Sequence, residues 1–144
     1  TSKRLLLVFG TSAWDLLAGD EMQGRNFADH KLACRQLMDE VHQYIQNNIT
    51  QPWLDVKVAW RSGLAVHPHI VIDRSTMYFG PPAKAKARIK YMSLERSRVL
   101  YNAQKEAIME YDNATVPFLD IFDATLLSAD WHFPTDGRHY RPEL

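Results

Sequence analysis

Three short apolar runs punctuate the chain: Arg4 to Phe9 (RLLLVF), Asp55 to Trp60 (DVKVAW) and Val116 to Phe122 (VPFLDIF). The first is continuous, as a strand covered on both faces requires. The second is β-branched and partly alternating. The third carries Pro117 near its start, where a missing backbone donor is tolerated. Two helical patterns lie between them. From about Asp29 to Asn47, Leu37, Val41, Tyr44 and Ile45 recur at three-to-four spacing, with Ala33 and Cys34 on a neighbouring stripe. From about Ser93 to Tyr111, Leu100, Ala103, Ala107, Ile108 and Tyr111 do the same, and Ser93 suits an N-cap. A shorter run, His69 to Ile72, reads as a strand or a packed loop. Strand, helix, strand, helix, strand predicts an α/β fold with parallel pairing and right-handed crossovers.

Composition narrows this only a little. A chain of 144 residues with 46% hydrophobic content and four Trp is expected to form a single globular domain over 1–144. Seventeen basic and seventeen acidic residues cancel, so no global field favours nucleic acid or a membrane surface. The single cysteine, Cys34, rules out an internal disulfide framework and a Cys-rich zinc site. No apolar run reaches membrane-spanning length. Two glycosylation sequons, Asn48-Ile-Thr50 and Asn113-Ala-Thr115, matter only in a secretory or extracellular setting, toward which they lean. The chain opens on Thr1 and runs directly into a strand, which suggests a processed product or a piece of something longer.

In a parallel sheet, ligands bind beyond the carboxyl ends of the strands. After the first run come Gly10-Thr11-Ser12-Ala13-Trp14-Asp15, and after the second Arg61-Ser62-Gly63 through His67-Pro68-His69. After the third come Asp123 and then Asp136-Gly137-Arg138-His139-Tyr140, on a segment too rich in Gly and Pro for a regular helix. A carboxylate and an imidazole three residues apart on a tight turn can be aimed into one cleft as an acid-base pair.

These blocks resemble the SGNH (GDSL-type) hydrolase superfamily, and within it the PC-esterase branch of esterases and carbohydrate O-acetyltransferase-like proteins. The family's last block is Asp-x-x-His, often with Gly after the Asp and an aromatic after the His, as in Asp136-Gly-Arg-His139-Tyr140. Trp14-Asp15 and Trp60-Arg61 are similar to strand-end pairs of that branch. The resemblance implies a three-layer sandwich around a central parallel sheet, SGNH- or flavodoxin-like, lacking the first strands. It implies a serine esterase or O-acyltransferase acting on a small-molecule, glycan or lipid-linked ester, with no cofactor. His139 would take the serine's proton and Asp136 would hold the imidazole in the required tautomer. Gly10, Trp14, Asp15 and Arg61 would form the oxyanion and substrate-binding block. The Asn that the family carries there is absent, and so is its Gly-Asp-Ser turn.

The residues leave alternatives open. Ser12, after Gly10 at a strand end, is a candidate displaced nucleophile, and Ser62 a second. Arg61 could grip a carboxylate or phosphate with both arms of its guanidinium, or pair with Asp15. Trp14 and Trp60 read as core or wall residues rather than substrate stackers. Lys84 to Lys90 reads as a solvated basic face. A catalytically inactive domain that binds a glycan or acyl group would keep the same cleft. A metal-dependent hydrolase would instead gather His67 and His69 with His132 or His139.

Overall fold

The computed structural model describes residues 3–11, 13–18, 23–24, 26–67, 90–111 and 116–127, the side chains of 13, 14, 17, 18, 23 and 24 excepted. In chain order these form strand β1 (Lys3–Gly10), a 3-10 turn (Ala13–Leu16) and a two-residue hairpin, β2 (Leu17–Ala18) with β3 (Gln23–Gly24). Helix α1 (Phe27–Asn48) and strand β4 (Leu54–Arg61) follow, then α2 (Leu94–Met109), β5 (Phe118–Leu119) and α3 (Phe122–Leu126). The main sheet is parallel in the order β1-β4-β5. The α/β expectation therefore holds, with the two long strands within a residue or two of their apolar runs. The third is a correction. The run predicted as a strand to Phe122 pairs only at Phe118 and Leu119, and the chain turns into α3 at Phe122.

Both long helices start where capping chemistry allows. The Asn26 side chain accepts the Ala28 N–H at 3.0 Å, and Ser93 Oγ accepts the Arg96 N–H at 3.2 Å. α1 and α2 lie side by side, tied by Lys31 to Glu106 and Glu110 and by Arg35 to Glu110. Between them and the sheet sits one apolar cluster: Cys34 and Met38 from α1, Ala107 and Ile108 from α2, and Val58 and Trp60 from β4. Phe9 of β1 packs against it. The buried stripe of α1 is His30, Cys34 and Met38, continued by the partly covered Val41 and Ile45. Leu37 and Tyr44, predicted for the core, are 38% and 64% exposed. The stripe of α2 is the expected one, with Ser97, Tyr101 and Gln104 buried in addition.

β1 and β4 pair Leu7 with Val58 and Phe9 with Trp60, so these residues share the helix-covered face. Leu6, Val8 and Gly10 share the opposite face, where Leu6 is 58% and Val8 50% exposed. Among the described residues, helices cover one face of the sheet, and the outer edge of β1 pairs with no strand. His69 to Ile72 lies outside the described residues.

Candidate functional site

The register brings three strand ends together: Gly10 of β1 opposes Arg61 of β4, which opposes Leu119 of β5. A Cβ on Gly10 would meet the Arg61 carbonyl oxygen at 2.8 Å, closer than real side chains approach, and Arg61 Nε at 3.5 Å. Glycine is needed there by close approach.

The segment after β4 is irregular yet almost wholly buried: Ser62, Gly63, Ala65, Val66 and His67 all lie inside. Buried backbone must find partners. The Ser62 N–H donates to Leu119 O at 3.0 Å. The Gly63 N–H donates to Gln104 Oε1 at 2.7 Å, the Ala65 N–H to Thr125 Oγ1 at 3.0 Å and the Val66 N–H to Ser97 Oγ at 3.4 Å. Gln104, fully buried, also donates from Nε2 to Thr11 Oγ1, so one carboxamide clamps the loops after β1 and β4. Leu16, Val66, Met92 and Leu100 pack into a second apolar cluster beside this clamp. Arg96 stacks on Phe27 and Tyr91 at its margin and donates to Leu16 O at 3.1 Å.

These bonds decide several roles. Ser62 is fully buried and its Oγ accepts the Ile121 N–H at 3.0 Å, so it serves as a structural acceptor rather than a nucleophile. The Gly63, Ala65 and Val66 N–H groups are committed and cannot double as oxyanion donors. His67 Nε2 faces Thr125 O at 3.1 Å; a carbonyl only accepts, so Nε2 carries the proton, and a metal would compete with that bond. Among the described residues no three His, Cys, Asp or Glu side chains converge on a point where a metal could sit. Trp60 is a core residue, 1% exposed, with an indole N–H that finds no acceptor among the described residues.

Arg61 is half-buried, and none of the ion pairs among the described residues joins it to Asp15. The alternative of an Arg61–Asp15 bridge is therefore corrected. Asp136, His139 and Ser12, like His69 and His132, lie outside the described residues, as does the Trp14 side chain; Gly10, Asp15 and Arg61 lie within them.

A network not anticipated from the sequence sits beside the end of β5. The Tyr101 hydroxyl donates to Asp120 Oδ2 at 2.6 Å and accepts from Lys105 Nζ at 2.8 Å, while Lys105 also reaches Asp120 Oδ2 at 3.3 Å. Burial, helped by the bond to Asp120, pushes the Tyr101 pKa up. Burial works against the Asp120 anion, but the bonds from Tyr101 and Lys105 outweigh it and hold the carboxyl below its usual range. The bond to Tyr101, seconded by Asp120, raises Lys105. Tyr101 is thus held protonated, which suits positioning better than proton transfer. Its i, i+4 spacing to Lys105 was the readable signal. Gln104 was readable as a polar residue on the apolar stripe of α2.

No protein-family model, no curated protein and no solved structure matches this chain. Among the described residues, no helix is long and apolar enough to cross a membrane.

Proposed function

We propose that the chain belongs to an SGNH-type ester hydrolase or O-acyltransferase, a three-layer α/β domain in which Asp136 and His139 serve a serine nucleophile. One observation carries the reading. The parallel order β1-β4-β5 sets Gly10, Arg61 and the Leu119-Asp120 strand end side by side, and the Asp136-Gly-Arg-His139 block follows that last strand in the chain. The substrate would be a glycan, small-molecule or lipid-linked ester. No motif marks the serine. With Ser62 committed to the Ile121 N–H, Ser12 is the candidate next to these strand ends, and a serine elsewhere in the chain or on another segment is the alternative.

A fluorophosphonate probe with intact-mass readout tests this. The hydrolase reading expects one adduct that His139→Ala abolishes, and a Ser12→Ala variant then locates it. The same absence of a free serine among the described strand ends favours a second reading, a catalytically inactive domain that binds a glycan or acyl group. Absence of any adduct would select it.

A further inference from the structure

Cations among the described residues are mostly accounted for. Lys31, Arg35, Lys57 and Lys105 face carboxylates. Lys3, Lys90 and Arg96 lie over aromatic rings. Among the described residues, Arg4 and Arg98 make no ion pair or ring contact; both are exposed, where water solvates them, and Arg98 is near enough to Glu95 to help lower its pKa. Arg61 differs from all of these. It is partly withdrawn from solvent, and among the described residues its guanidinium meets no carboxylate, carbonyl or ring. Its atoms are not sealed in the core either, since none of them is a buried donor without a partner. It stands at the carboxyl end of the central strand, on the face opposite Trp60 and the helices, and its side chain passes over Gly10, with Nε 3.5 Å from where a Cβ would be. A half-desolvated guanidinium that keeps its charge and its planar fork fits an oxyanion far better than a neutral group.

We infer that Arg61 is the anion-recognising side chain at these strand ends, and that the substrate carries a carboxylate or phosphate group besides its ester. The inference rests on the hydrolase reading for the word ester and on the strand-end geometry for the anion. Gly10 is the structural condition, because a Cβ at that position would meet the Arg61 carbonyl oxygen at 2.8 Å and force the two strand ends apart.

Arginine Nε–Hε resonances of the 144-residue chain, followed during titration with inorganic phosphate and separately with acetate at constant ionic strength, test it without requiring turnover. Arg61→Gln assigns the Arg61 signal. The expected result is a saturating shift of Arg61 with an apparent Kd at least tenfold tighter than any response of Arg4 or Arg98. Tighter phosphate than acetate would identify a phosphate-bearing substrate, and the reverse a carboxylate. Arg61→Lys should weaken the phosphate-induced rise in Tm, and Arg61→Gln should remove it. An Arg61 response no stronger than that of Arg4 and Arg98, or a Tm rise that survives Arg61→Gln, overturns the inference. A missing fluorophosphonate adduct beside intact anion binding would sink the hydrolase reading alone.

Discussion

Gln104 links two strand-end loops through one side chain, and the cost of losing it follows from burial. Truncation leaves the Gly63 N–H without its acceptor inside the protein and opens a small void. Unsatisfied buried donors cost about 1–3 kcal/mol. Gln104→Ala should therefore lower stability by roughly 2–4 kcal/mol once the cavity is included, read from the urea midpoint. A loss under about 0.5 kcal/mol, the range of an ordinary surface change, would mean that the clamp does not hold the loops. Asp120 makes a pH prediction of definite sign. Its carboxyl is depressed in the fold, so its contribution is present above the ordinary carboxylate value, about 3.9, and is lost as pH falls through the folded value. Asp120→Asn should flatten the acid limb of stability against pH below about 4, by no more than about 1 kcal/mol because the pair is partly solvated. Identical acid limbs for the two proteins would contradict the network. Neither residue was legible as functional from the chain alone. A polar side chain on an apolar stripe signals a buried bond, but its partners, Thr11 and Gly63, are far away in sequence.

At the scale of elements, α1 shows what periodicity leaves open. Its apolar residues are spread widely enough that two stripes fit, one through Leu37 and Tyr44 and one through Cys34, Met38, Val41 and Ile45. Packing against Phe9, Val58 and Trp60, and the ion pairs of Lys31 and Arg35 with α2, select the second. Met38→Ala should thus cost roughly 2–4 kcal/mol and Leu37→Ala under about 1, measured by chemical denaturation; equal costs would mean the helix is rotated. β1 carries the other element-level consequence. The continuous run that predicted a strand covered on both faces is covered on one among the described residues, and its outer edge is unpaired there. An apolar strand edge of this kind invites pairing with other chains. Leu6→Glu, opposite Lys57, with Val8→Thr should leave folding stability within about 0.5 kcal/mol and reduce self-association in sedimentation experiments. A large loss of stability would show that this face is packed. β5 failed as a long strand for a local reason. Asp120 accepts the Phe122 N–H through Oδ1 and turns the chain into α3, a side-chain competition that an apolar count does not register.

For the whole molecule, the α/β order and the place of the strand ends were readable because parallel crossovers leave few arrangements for such a pattern. The chemistry was readable only as residue types, since which donors are committed depends on contacts across the fold. Ser62 illustrates this: strand-end position alone made it a nucleophile candidate, and a single bond to the Ile121 N–H makes it part of the frame. In the proposed reading, Asp136 and His139 act as an acid-base pair for a serine near these strand ends. Its most direct test is intact-mass measurement of fluorophosphonate labelling in wild type and in His139→Ala. One adduct in the wild type, lost in the variant, is the expected result. No adduct, or an adduct indifferent to His139→Ala, would contradict it.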